Sequence, residues 1–181
     1  MWELGHLGIG AKIAAPFSRK LSYGWLLFGT ILPDLIDKPL YYGLSLFTGK
    51  RGSDLGFISC TRTVGHTGIL LLTMAAVASV KKSKRLTAVT LGMATHLFLD
   101  GFQDLWSQVV SGLSGESSLA MAAFFPFYGG ELSAHFGTMP FANLGEHLKA
   151  VGHPFLFLTE AIGALCLAFD FWNKKRQRFS V

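Results

Sequence analysis

Residues 23–47 read YGWLLFGTILPDLIDKPLYYGLSLF, an apolar run that carries two aspartates, Asp34 and Asp37, and two prolines, Pro33 and Pro39. A buried, unpaired carboxylate is costly, so each acid must neutralise, pair or bind a cation. Their i, i+3 spacing lets both share one helix face. Pro33 predicts a kink or break near 31–33. Two mundane roles compete with metal binding. Asp34 after Pro33 suits the first turn of a helix, and Lys38 offers a partner to either acid.

The rest of the chain shares this apolar character. Its 181 residues fit a single domain, 1–181. Half are hydrophobic and 15% are charged, against about 25% charged in a typical soluble domain. The mean hydropathy of +0.41 points to a membrane. The net charge of +5 gathers at Arg19 and Lys20, in KKSKR (81–85) and in NKKRQR (173–178). Short basic clusters beside apolar runs are a topology signal. They favour membrane lipids as neighbours, and no nucleic-acid partner is expected. Cys60 and Cys166 lie far apart without metal-knot spacing. The N-terminus lacks a basic region before its apolar stretch and does not read as a removable signal peptide.

Apolar stretches of helical length fall at 5–17, 22–47, 66–80, 86–110 and 154–172. The last apolar stretch of the chain, 154–172, is long enough at 1.5 Å per residue to cross a hydrocarbon core of about 30 Å. With CTRTV before it, the stretch at 66–80 reaches the short end of a span. The expected fold is all-α: a polytopic membrane helical bundle of about four to five helices, with an outer loop region at 111–153 folding over one end. With the basic clusters on the cytoplasmic side, His96 lies about 16 Å, Asp34 about 21 Å and Asp100 about 22 Å up their helices. His6, Asp37, His66 and Glu160 fall at the same end. An integral membrane protein with its site in the outer half of the bilayer is the result, and the charge rule alone did not require that convergence.

THLFLD sets His96 and Asp100 one helical turn apart, so both can reach one metal ion. A helix-surface hydrogen bond would use the same spacing, but a segment this apolar offers little solvated surface. RTVGHT (62–67) places Arg62 four residues before His66, where a loop becomes a helix. Arg62 can hold a lipid phosphate or a substrate phosphate or carboxylate bidentately. His6 has no spacing of its own. Glu160, midway along an apolar helix, suits a functional acid, as the partner of a histidine ligand or of a basic residue. Glu131, His135, His147 and His153 read as surface residues.

The ordered set of GH near the N-terminus, LPDLIDKP, RTVGHT and His-x-x-x-Asp, then Trp106 and FFPFYG, resembles the membrane-bound predicted metal-dependent hydrolases related to the LexA-regulated inner-membrane protein of enteric bacteria. The likeness runs from about residue 5 to 130. The better-known branch has Pro-Asp-x-Asp-His and His-Arg-Gly-x-Thr-His-Ser; here the second acid comes one residue later, as Asp37. The resemblance implies metal ligands His6, Asp34, His66, His96 and Asp100. More distantly, the order of ligands is similar to zinc phospholipase C and P1 nuclease, without their second His-x-x-x-Glu motif.

These donors suit Zn²⁺ first, with Mn²⁺ or Fe²⁺ as alternatives, as one or two ions. The expected activity is hydrolysis by metal-activated water on an amphiphilic or phosphorylated small molecule. Arg62 would balance negative charge, and Asp37 would act as a base, a bridging ligand or the partner of Lys38. The rivals are a non-catalytic scaffold tied together by its metal and an ion- or proton-handling transporter.

Overall fold

The computed structural model describes residues 3–51, 54–55, 58, 60–111, 145 and 154–179. Among these, helix α1 spans Glu3–Ala14, α2 Tyr23–Thr48, α3 Gly68–Val80, α4 Lys84–Ser111 and α5 Pro154–Phe179. A 3-10 turn at Val64–His66 precedes α3, and no strand occurs among the described residues. The all-α expectation holds. The expected outer loop at 111–153, with Glu131, His135, His147 and His153, lies almost wholly outside the described residues.

The apolar runs set these helices and local chemistry sets their ends. α2 continues through Pro33 and Pro39 without a break. It stops at Gly49, whose left-handed φ of 70° lets its amide return to the Ser45 carbonyl. α3 begins at Thr67, whose hydroxyl accepts from the Leu70 amide. Its 13 residues give only about 20 Å of helix. Residues 60–66 bend away from its axis instead of lengthening it, which corrects the expectation that CTRTV extends this stretch toward a full span.

α2 packs on α4, and α1 lies against α5, α4 and α2. Both main crossings are backbone-close. An added Cβ at Gly29 would stand 2.2 Å from the Val89 carbonyl oxygen, and one at Gly92 would stand 2.4 Å from that of Leu26. At the α1–α5 crossing a Cβ on Gly8 would lie 1.9 Å from the Gly163 carbonyl oxygen. Contacts from Leu4 to Glu160, Gly8 to Gly163 and Lys12 to Asp170 show that α1 and α5 run parallel. Tyr23 also donates to Asp170, at 2.9 Å, so the end of α1 and the start of α2 meet α5 just before its basic tail.

Burial is inverted relative to a water-soluble domain. His6, Thr30, Asp37, Thr63, His66 and His96 are fully buried, while Leu46, Phe47, Leu72, Val80, Leu165 and Trp172 are exposed. A small apolar cluster of Ala11, Ala14, Leu26 and Ala88 fills the end near Arg19 and Lys20. One helical segment among the described residues, Leu156–Asn173 of α5, is long and apolar enough to cross a membrane. α2 and α4 are at least as long as α5, but they carry Asp34, Asp37 and Lys38, and Asp100 and Asp104, within their apolar runs.

Gly8→Ala is expected to cost about 1–3 kcal/mol of stability, because the methyl group drives into backbone that cannot rotate away. Gly24→Ala and Gly43→Ala, where no atom lies within 4 Å of the added carbon, should be neutral or mildly stabilising. Thermal unfolding of the purified variants checks this ranking.

Candidate metal centre

α1, α2, the bend at 60–67 and α4 each deliver residues to one buried cluster. His96 and Asp100 come from successive turns of α4, Asp34 and Asp37 from α2, Arg62 and His66 from the bend, and His6 from α1. The five expected metal ligands converge, with Asp37 and Arg62 beside them.

Asp37 explains why the bend has its shape. Its carboxylate accepts from the Thr63 amide at 2.7 Å, the Gly65 amide at 2.8 Å and the Thr63 hydroxyl at 3.2 Å. One of its oxygens also lies 2.7 Å from His66 Nδ1. A carboxylate with that load of donors receives the imidazole N–H, so the proton of His66 sits on Nδ1. His96 is fixed the same way, because its Nδ1 lies 2.7 Å from the Thr30 carbonyl oxygen, which can only accept. Pro33 lacks the amide that would return to the Gly29 carbonyl, one residue before Thr30.

Both rings therefore present an Nε2 lone pair, and the two nitrogens stand 3.1 Å apart. Between two neutral rings of that tautomer the lone pairs repel; a proton on one Nε2 would turn the contact into a hydrogen bond, and a metal ion bound by both would relieve it as well. Asp100 Oδ2 is 3.5 Å from each nitrogen, and Asp34 Oδ1 is 3.7 Å from His66 Nε2. Ligands bonded to one tetrahedral ion at 2.0–2.2 Å are separated by about 3.3–3.6 Å. The donor set fits a divalent ion in both chemistry and spacing. Two groupings satisfy a metal-ligand distance criterion, His6 with His96 and Asp100, and Asp34 with His66 and His96.

Outside these donors lies a ring of charge. Lys38 Nζ bridges Asp34 Oδ2 and Glu3 Oε1, at 2.8 Å each. Arg62 Nη2 is 3.3 Å from Asp100 Oδ1, and its Nη1 spans both oxygens of Asp104 at 3.0 and 3.2 Å. Burial opposes the charge on Arg62, but Asp100 and Asp104 outweigh it and raise its pKa above the usual guanidinium value. Five carboxylates (Glu3, Asp34, Asp37, Asp100 and Asp104) face two cations, Lys38 and Arg62. Among the described side chains, with neutral imidazoles, this leaves an excess of three negative charges, which suits a bound cation.

Several expectations are sharpened by these contacts. Lys38 pairs with Asp34, not Asp37. Asp37 stands behind His66, on the Nδ1 side, so its contacts are those of an orienting carboxylate. Glu160 accepts from the amides of Leu4 at 2.9 Å and Gly5 at 3.1 Å; it caps the N-terminus of α1, where a negative charge is favourable. Sequence reasoning missed Asp104, although it follows Asp100 by one turn and so continues the His96–Asp100 face. It also missed the Thr30 carbonyl, a backbone group with no residue-type signal. No protein-family model, curated protein or solved structure matches the chain.

Asp37→Ala leaves two buried amides and an imidazole N–H without their acceptor. It should cost about 3 kcal/mol of stability and weaken divalent-metal binding by roughly 10–100-fold. Asp37→Asn keeps one acceptor oxygen and should lose less on both counts. Chemical denaturation and metal titration read the two effects separately.

Proposed function

We propose that this chain is an integral membrane, metal-dependent hydrolase, a polytopic bundle of the kind its sequence motifs resemble. The observation that carries the reading is the pair of His66 and His96 Nε2 atoms, 3.1 Å apart with both Nδ1 atoms committed elsewhere, and flanked by Asp100 and Asp34. Zn²⁺ suits these donors best, with Mn²⁺ or Fe²⁺ as alternatives. A divalent ion there supplies Lewis acidity, lowering the pKa of water and polarising a phosphoryl or carbonyl oxygen.

The chain's own residues then divide the remaining work. Asp34, with one oxygen on Lys38, keeps the other toward the Nε2 atoms, where it can take a proton from water. Asp37 and the Thr30 carbonyl hold the two rings in the tautomer that leaves Nε2 free. Arg62 spends part of its five-donor fork on Asp100 and Asp104; its remaining N–H groups serve to balance charge on a bound phosphoryl or carboxyl group. The inverted burial and the exposed apolar faces of α3 and α5 support a lipid surround. The cluster lies at the end of the bundle away from the basic segments, which by the charge rule is the outer half of the bilayer. An amphiphilic substrate, such as a phospholipid or isoprenoid phosphate, matches that position.

One feature favours a second reading. Asp34, His66, His96 and Asp100 together are enough to close a four-coordinate ion, as in structural sites. In that case chelation would unfold the bundle and no substrate would be turned over.

Purified wild-type protein is expected to carry a bound transition metal, and His96→Ala and Asp34→Ala to lose most of it. Hydrolysis of phosphoester lipids should fall by at least about 10²-fold in both variants. A wild-type protein with no bound transition metal would sink the metal reading, and one with metal but no turnover would favour the structural site. Resistance of the protein to extraction from membranes at high pH checks the integral placement.

A further inference from the structure

The two donor groupings share His96, and they cannot both be filled through it. His96 Nδ1 is committed to the Thr30 carbonyl, so the ring has a single lone pair to give. The geometry of the three rings decides which neighbour shares its ion. An imidazole lone pair lies in the plane of its ring, so two rings that bind one ion need planes that meet near both nitrogens. The planes of His66 and His96 are inclined by 64°, with ring centres 5.1 Å apart and the Nε2 atoms in contact. His6 instead lies flat on His96, with centres 3.8 Å apart and planes only 20° from parallel. Planes so nearly parallel meet far from either nitrogen. His6 and His96 cannot aim at the same ion.

His6 Nε2 faces Asp100 Oδ1 at 3.1 Å, a hydrogen-bond distance. That oxygen is also 3.3 Å from Arg62 Nη2. A second divalent ion between His6 and Asp100 Oδ1 would sit against the Arg62 guanidinium, 3.3 Å from that oxygen, which repels it. The opposite oxygen, Oδ2, faces His66 and His96.

Building on the metal reading above, we infer that the centre holds one ion per chain, with His66 and His96 as its imidazole ligands, and that His6 is a positioning residue. His6 donates its Nε2–H to Asp100 and, together with Arg62, holds Oδ1 so that Oδ2 is presented to the ion. The family-like pattern that groups His6 with the ligands then reflects shared location, not shared coordination.

The test uses full-length protein loaded with Co²⁺. Elemental analysis is expected to give one ion per chain, and X-ray absorption to count two imidazoles around it. His6→Gln, which keeps an N–H donor, should preserve both counts and bind the ion within about 10-fold of wild type; His6→Leu should bind about 10–100-fold more weakly. Two ions per chain, three imidazoles in the wild type, or an imidazole lost in His6→Gln would each overturn the assignment. Absence of any bound ion would overturn the metal reading itself along with it. The wild-type counts decide the matter even where a His6 variant does not fold.

Discussion

Two imidazole nitrogens held lone pair to lone pair at 3.1 Å are the constraint on which the rest of this protein depends. Between two neutral rings the contact is repulsive, and a shared proton or a bound metal ion relieves it. It persists because Asp37 and the Thr30 carbonyl fix the outer nitrogen of each ring, and because α2, which bears both acceptors, approaches α4 to backbone contact. The carboxylates at 3.5–3.7 Å do not relieve the repulsion between lone pairs; they add negative charge to it. Two fixed cations, Lys38 and Arg62, offset part of that charge from outside. The described side chains around the contact thus carry more negative than positive charge.

This explains a division of the bundle into two halves. Toward Arg19 and Lys20 the interior is made of alanine and leucine, with Gly29 and Gly92 letting α2 and α4 touch. Toward the opposite end the same helices carry threonine, histidine and aspartate. Close packing in the first half is what makes geometry in the second half reproducible, since α2 cannot shift against α4 without a clash of main chain. In the second half Asp37, His66, His96 and Asp100 each meet partners from other elements. Asp37 alone receives two backbone amides and a hydroxyl from the bend.

Much of this was legible in the sequence. Apolar runs bounded by basic or glycine-rich segments gave the helices nearly to their ends, and ionisable residues inside those runs gave the cluster. The reason is general: in an apolar segment each charged side chain must find a partner, so its presence is already information about convergence. What the residues did not disclose is how the partners are shared. Asp37 and Asp34 are the same residue type three positions apart, yet one meets the Nδ1 side of His66 and the other faces its Nε2. Only the backbone of the bend distinguishes them. Glu160 satisfies main-chain amides, and the Thr30 carbonyl is itself main chain; neither contact involves a side-chain pair that spacing could suggest. The tilt between ring planes, which separates His6 from His66, is a property of three helices and a bend together. α3 was overextended because the residues before Thr67 looked like more of the same helix.

The cap on α1 has a consequence for how the molecule is made. Glu160 holds the amides of Leu4 and Gly5, and 155 residues separate Gly5 from its partner. His6 is the next residue along. Residues 3–14 leave the ribosome long before residue 160 does, so α1 takes these two hydrogen bonds only after the last described helix has been made, and the beginning of the chain is closed by its end.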